Sequence, residues 1–119
     1  MNKVAKCPAE SGTYFFGGKW KIRILFTLFN KKKVRFGGLK KVLSPVTQQM
    51  LSKQLKQLTS DGLINRKVIQ IMPPKVEYSL TSFGNSLIPI LISLSNWNDK
   101  NSKTINLKLN KNFDENRIR

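Results

Sequence analysis

The spacing of the apolar residues changes along the chain, and each change predicts a different element. The segment Tyr14–Phe29 is rich in aromatic and aliphatic residues that recur at helical spacing. This pattern predicts a first helix that ends before the Lys31-Lys32-Lys33 run. The lysine run is either a solvated turn or a contact for phosphate. The periodic residues of the first helix are Trp20, Ile24, Leu25 and Leu28.

Two further helical patterns follow, separated by a short break. Phe36, Leu39 and Val42 predict a short amphipathic helix that ends at Ser44-Pro45, because a residue before proline disfavours helical backbone. Thr47 is a good N-cap for the next helix, which Asp61-Gly62 closes with a glycine suited to a left-handed cap. Its apolar face comprises Leu51, Leu55 and Leu58. Its polar face comprises Gln48, Gln49, Ser52, Lys53, Lys56 and Gln57.

The period then shortens to two residues, which predicts a β-hairpin. Apolar and polar residues alternate from Lys75 to Leu80, and the β-rich segment Ile64–Ile71 supplies the partner strand. Met72-Pro73-Pro74-Lys75 forms the turn. Thr81 or Ser82 then caps a last helix, which Pro89 is expected to kink. Its broad apolar side comprises Phe83, Leu87, Ile90, Leu91, Leu94 and Trp97.

The charge of the chain is its most unusual property. It carries 22 basic and 6 acidic residues among 119, a formal net charge of +16. Sixteen of the basic residues and three of the acidic ones lie in residues 1–80. Such an excess predicts a polyanionic partner, either nucleic acid or an anionic membrane surface, that meets the first two-thirds of the chain. The length fits one compact domain with a short tail.

The composition argues against catalysis and against a secreted protein. There is no histidine and a single cysteine, so histidine-dependent nucleophilic sites and histidine-containing zinc sites are excluded. No phosphate-binding glycine loop of the usual spacing is present. We expect no enzyme activity, no metal and no cofactor. The lone cysteine and the lack of an N-terminal apolar run favour the reducing cytoplasm.

Two helices joined by a tight turn and followed by a basic hairpin outline a winged helix-turn-helix. A helix fits the major groove of DNA, where glutamine pairs with adenine and lysine donates to guanine. We therefore expect Thr47 and five residues of this polar face to contact double-stranded DNA, with Gln48, Gln49 and Ser52 on bases and Lys53 and Lys56 mainly on phosphates. The hairpin residues expected to contact DNA are Arg66, Lys67 and Lys75.

Several motifs give the chain a resemblance to the HxlR family of bacterial winged-helix regulators, over roughly Cys7 to Trp97. It departs from the family pattern at Gly37-Gly38 and in the Gln- and Lys-rich recognition helix, so the resemblance leaves the operator sequence open. The matching motifs are Cys7-Pro8, Gly17-Gly18-Lys19-Trp20, Arg35-Phe36 with Leu39, Met50-Leu51-Ser52 with Leu55 and Leu58, Asp61-Gly62-Leu63-Ile64, Pro73-Pro74-Lys75-Val76-Glu77-Tyr78-Ser79-Leu80-Thr81, Gly84, and Leu87-Ile88-Pro89.

The resemblance implies a homodimer, built from the first and last helices, that reads palindromic operators and more often represses than activates genes. It also favours a phosphate contact for Arg35. The expected fold is α+β and mainly helical, with a two-stranded wing and N- and C-terminal dimerisation helices. Residues 1–98 are expected to form the DNA-binding domain, and 99–119 a polar tail that is frayed or partly helical. The expected dimerisation residues are Tyr14, Phe15, Leu87, Leu91, Leu94 and Trp97.

Two alternatives share parts of this pattern. Cys7 is flanked by Lys3 and Lys6, and neighbouring cations favour the reactive thiolate form, so a redox or electrophile sensor is one of them. Some relatives use a thiol at this position in that way, whereas the opposing interpretation is an inert, half-buried thiol. The second alternative is a basic RNA-binding or ribosome-associated protein. The predominance of aromatic residues on predicted helices argues against the sheet-based type of RNA reader.

Overall fold

The computed structural model describes residues 7–109 of the chain. The described residues fall into two compact units, one ending at Ile88 and the other beginning at Pro89. The elements in chain order are α1 (Pro8–Thr13), α2 (Lys19–Lys31), β1 (Lys33–Arg35), α3 (Phe36–Val42), α4 (Gln48–Ser60), β2 (Ile64–Gln70), β3 (Lys75–Leu80) and α5 (Ser82–Lys100).

The three strands form one antiparallel sheet in the order β1-β3-β2. Helices α2 and α4 contact each other, and both also contact the sheet. The core lies between these helices and the inner face of the sheet, since Val34, Ile64 and Tyr78 are buried together with the apolar faces of the helices. The buried helical residues of this core are Trp20, Ile24, Leu25, Leu28, Leu39, Leu51, Leu55 and Leu58.

The turn between α3 and α4 is held by apolar side chains at both ends. Leu43 and Val46 are both 5% exposed, and the Val46 amide donates to the Leu43 carbonyl at 3.0 Å. The burial of two turn residues leaves little freedom in the angle between the helices. The turn therefore fixes where α4 begins and which of its faces is directed outward.

The start of α5 is attached to the loop that follows α4. The Thr81 hydroxyl donates to the Gly62 carbonyl at 2.6 Å and accepts from the Gly84 amide at 2.9 Å, so Thr81 caps the helix as predicted. Gly84 lies against the backbone of Leu63: a Cβ at this position would collide with the Leu63 carbonyl and approach Leu80 Cδ2 to 3.2 Å. A residue without a side chain is therefore required there.

The N-terminal prediction needs correction. The segment Tyr14–Phe29 does not form one helix, because α1 ends before Tyr14 and α2 begins only at Lys19. Gly18 separates them with a φ of 98°, a left-handed backbone that favours glycine. The predicted end of the first helix is also wrong by one residue, since Lys31 belongs to α2.

The sheet also contains a strand that the pattern did not predict, β1, so the two-stranded wing extends from a three-stranded sheet. Val42 was expected on the apolar side of α3, but it is 50% exposed, and the buried position is taken by Leu43. Strand β2 ends at Gln70, and Ile71 belongs to the turn. The last helix continues through Pro89 to Lys100, residues 102–109 are helical, and 110–119 lie outside the described residues.

Candidate nucleic-acid interface

The N-terminus of helix α4 is capped by a side chain. The Thr47 side chain accepts a hydrogen bond from the Met50 amide at 3.1 Å, while the Thr47 backbone is extended, with φ −81° and ψ 158°. This is the N-cap geometry that the sequence predicted. It places Gln48 and Gln49 in the first turn of the helix, both of them exposed.

The two faces of α4 differ sharply in chemistry and burial. Leu51, Leu55 and Leu58 are at most 1% exposed, whereas the polar face predicted from the sequence is exposed throughout. An open concavity of the surface follows the N-terminal half of that face. Its lining residues, here called the α4 reading face, are Thr47, Gln48, Gln49, Ser52, Lys53 and Lys56.

A groove next to the reading face joins α4 to the hairpin. Its lining combines apolar side chains, among them Leu55 and Val76, with polar and cationic ones. Because the groove draws on α3, α4, β2 and β3, the spacing of residues along any one element could not have revealed it. The polar groups shared by helix and hairpin in this groove are Gln48, Ser52, Lys56, Thr59, Ser60, Arg66 and Tyr78.

The strand register separates the hairpin cations into two sets. Arg66 pairs with Tyr78, which is buried on the inner face of the sheet, and Arg66 accordingly lines the groove beside α4. Lys67 pairs with Glu77, which on its other side pairs with Arg35. Since neighbouring strand residues point to opposite faces, Arg35, Glu77 and Lys67 form a row on the outer face of the sheet.

Lys75 is at the start of β3, two residues before Glu77, and the strand period therefore assigns it to the outer face as well. Of the four cations predicted on the wing and at the start of α3, the structure thus brings only Arg66 together with the reading face. The lysine run is divided: Lys31 ends α2, Lys32 is in the turn, and Lys33 begins β1.

The expected dimerisation residues differ widely in exposure. Leu91 is 1% exposed in the single chain, whereas Leu94 and Trp97 are 47% and 59% exposed. Leu87 is half-buried. Within the first unit, Tyr14 is exposed and Phe15 is half-buried, and the Phe15 ring contacts the Tyr14 and Phe83 rings edge-on at centroid distances of 5.2 and 5.4 Å.

Cys7 is a free, exposed cysteine at the N-cap position of α1, where its side chain makes no capping hydrogen bond. Lys3 and Lys6, which were expected to influence it, lie outside the described residues. No group of three His, Cys, Asp or Glu side chains among residues 7–109 could hold a metal ion. The described helices include none that is long and apolar enough to cross a membrane.

Helices α3 and α4 with their fixed turn, followed by the β2–β3 hairpin, define a winged helix-turn-helix. Comparison with known proteins identifies the family. The model of the HxlR-like helix-turn-helix family matches residues 15–106, and the chain belongs to that family, as its motifs predicted. It is a transcriptional regulator with a helix-turn-helix DNA-binding fold.

Individual relatives agree with this assignment. The chain is 45% identical over 94 residues to YdeP of Bacillus subtilis strain 168, an uncharacterised HTH-type transcriptional regulator, with 79% of this chain and 73% of YdeP covered. Among solved structures it is similar to the redox regulator HypR. The reduced form matches with a TM-score of 0.78 and 37% identity over 83% of this chain and 97% of HypR. The oxidised form matches with a TM-score of 0.72 and 40% identity over 80% and 97%.

Proposed function

We propose that the chain binds duplex DNA sequence-specifically, as a homodimer on a palindromic operator, and that it represses transcription from there. The observation that carries the proposal is the α4 reading face, a solvent-exposed row of amide, hydroxyl and ammonium groups on a helix anchored by a leucine face. A helix of about 10–12 Å diameter fits the major groove of B-form DNA. Gln48 and Gln49 lie at the end of the helix that usually enters the groove first.

The distribution of charge supports the same placement. Residues 11–60, which contain α2, α3 and α4, include eleven basic residues and not one acidic residue. A surface of one sign attracts the phosphate backbone and accelerates encounter with DNA. Lys53 and Lys56 follow Gln49 by about one and two helical turns on the same side of α4, where they are available to phosphates.

The homodimer is supported by the exposed apolar side chains of the C-terminal unit. Ile90, Leu94 and Trp97 recur at helical spacing and are 58%, 47% and 59% exposed. A second copy is the simplest cover for such a stripe. Two-fold symmetry would then place two copies of α4 on matching half-sites, which is why the operator is expected to be palindromic.

The test is selection of binding sites by the purified chain from a randomised duplex library. We expect a palindromic consensus. Gln48→Ala should relax the preference at one position of each half-site, because an amide that pairs with a base is lost. Lys53→Ala should instead weaken binding evenly across sequences.

Gln57→Ala is the matched control for the selection. Gln57 is an exposed glutamine of the same helix, but it does not line the reading face and lies half a circumference around the helix from Gln48. Its replacement should leave both affinity and consensus unchanged. Wild-type consensus and affinity in the Gln48 and Lys53 variants would contradict the assignment of the reading face.

A second function, regulation by thiol oxidation, is favoured by the exposure of Cys7 and by the similarity to a regulator solved in both reduced and oxidised forms. With one cysteine per chain, oxidation yields an intersubunit disulfide, a mixed disulfide or a sulfenic acid. For the disulfide, two Cys7 thiols form one S–S bond and pass two electrons and two protons to an oxidant such as diamide.

Regulation by oxidation is tested by adding diamide to the DNA complex. The wild-type chain should change its affinity for the selected duplex and form a covalent product that dithiothreitol reverses. Cys7→Ser should bind the same duplex with normal affinity and ignore the oxidant. An equal response of both proteins would refute a role for the thiol.

A further inference from the structure

The apex of the hairpin combines high exposure with apolar chemistry. Ile71 and Met72 are 79% and 84% exposed, the highest values among the large apolar residues that the structure describes. Both lie in the turn between β2 and β3, together with Pro73 and Pro74. Val68 and Ile69, at the end of β2, are 49% and 40% exposed. Two apolar side chains, Ile71 and Met72, therefore project into water at the apex, and two half-exposed ones precede them in the strand.

The surroundings of this tip are cationic. The hairpin carries three cations, Arg66, Lys67 and Lys75, and one carboxylate, Glu77, which pairs with Lys67 across the strands. The hairpin also flanks the groove that it shares with α4, where Arg66 lies near Gln48 and Lys56. The apolar tip is the far end of the same hairpin whose strands line this groove through Arg66 and Val76.

From these observations we propose that Ile71 and Met72 enter the minor groove next to the major groove occupied by α4, and that they wedge between stacked bases. The inference rests on the proposed DNA-binding function and extends it. Isoleucine, methionine and proline are residue types that proteins insert between base steps in the minor groove. Methionine is unbranched and adapts to an irregular slot.

The wedge gives the hairpin a mechanical role in addition to its charge. Separating two stacked base pairs costs free energy and kinks the duplex toward the major groove. The kink turns more of the phosphate backbone toward the cations of the subunit, which offsets the cost. Flexible pyrimidine–purine steps unstack most easily, so the wedge would also select sequence at a position that no hydrogen bond reads.

Duplex DNA fits the tip better than a second copy of the chain does. A copy would bring a second hairpin of three cations and one carboxylate, Glu77, against the first, and two surfaces of the same net charge repel. DNA supplies the complementary charge along its backbone and an apolar surface between its bases.

The experiment compares I71S/M72S with I71L/M72L, which keeps the apolar character of the tip. Both side chains are exposed, so either pair should retain the wild-type circular dichroism spectrum and melting temperature. The probe is the duplex selected by the wild-type chain, with 2-aminopurine substituted in turn at the steps flanking the α4 half-site. A second copy of the duplex carries a fluorescent donor and acceptor at its ends, which report bending by energy transfer.

The wild-type chain and I71L/M72L should raise the 2-aminopurine fluorescence at one step per half-site and shorten the end-to-end distance. I71S/M72S should bind roughly tenfold more weakly, with the same salt dependence, and should neither unstack nor bend the duplex. The salt dependence stays because no phosphate contact is removed.

Three results would overturn the wedge. The first is a wild-type complex without unstacking or bending, and the second is a serine pair that unstacks the duplex as well as wild type. The third is a serine pair that changes only the oligomeric mass, which would assign the tip to a protein contact. If the wild-type chain selects no duplex at all, the proposed DNA-binding function itself fails, and this outcome is distinguishable from the other three.

Discussion

Arg66 and Lys67 are neighbours in the sequence but lie on opposite faces of the sheet. Arg66 lines the groove beside α4, and Lys67 is in the outer row with Glu77 and Arg35. The two cations carry the same charge, so any contribution that depends only on net charge should be equal. A difference between them therefore reports which face of the hairpin meets the DNA.

We expect Arg66→Gln to weaken binding more than Lys67→Gln. Loss of one phosphate contact lowers the slope of log binding constant against log salt concentration by about 0.9. Near 0.1 M salt this corresponds to a roughly tenfold loss of affinity. Lys67→Gln should lie within about twofold of wild type, because long-range attraction alone is strongly screened at that ionic strength. Fluorescence anisotropy titrations at several salt concentrations measure both quantities. Equal losses in the two variants would show that the sheet face does not matter.

For single residues, the sequence predicted the exposed polar side of α4 but could not predict on which face of the sheet each hairpin cation lies. Helical periodicity alone separates Gln48 and Lys53 from the buried leucines. The position of Arg66 depends instead on its pairing with Tyr78 across two strands and on a register shift between Val68 and Gln70. A shift of one residue in such a pairing exchanges the faces of all side chains, and no local pattern fixes it.

At the scale of elements, the start of α5 packs against the loop after α4 only because Gly84 has no side chain. Gly84→Ala would press a methyl group against the Leu63 carbonyl, and we expect the free energy of unfolding to fall by roughly 1–3 kcal/mol, as for other overpacked sites. Gly37→Ala is the matched control, since a Cβ there meets nothing within 4 Å. Because Gly37 lies in helix α3, this change should raise the free energy of unfolding by about 0.5–1 kcal/mol.

Urea denaturation followed by circular dichroism measures both glycine variants. We expect the free energy of unfolding to fall in Gly84→Ala and to rise in Gly37→Ala. A Gly84 variant as stable as wild type would mean that the helix start is not held against Leu63 as the structure shows.

The elements that the sequence predicted well are those with strong local signals. Thr47 and Gly62 bound α4, and the alternation from Val76 to Leu80 marks β3. Strand β1 was missed because it is three residues long with a single buried residue, Val34, and because it forms only by pairing with β3, more than forty residues later. The break at Gly17-Gly18 was overlooked because the aromatic residues on both sides looked continuous.

On the scale of the whole molecule, the large positive charge predicts a steep dependence of binding on salt. If the dimer neutralises roughly 6–10 phosphates, affinity for the selected duplex should fall by about 10³–10⁵ between 50 and 200 mM salt. Anisotropy titrations with the wild-type chain measure the slope. An affinity that does not change with salt concentration would remove the electrostatic basis of the proposed function.

Site-directed crosslinking shows most directly which surface of the protein faces the bases. The single cysteine allows a photo-crosslinker to be attached at one chosen site in the Cys7→Ser background. With the label at Gln49→Cys on the reading face, we expect crosslinks to bases at symmetric positions in both half-sites of the selected duplex. With the label at Lys67→Cys on the outer face of the sheet, base crosslinks should be much weaker than from position 49. Crosslinks from position 67 but not from position 49 would contradict the claim that α4 reads the DNA.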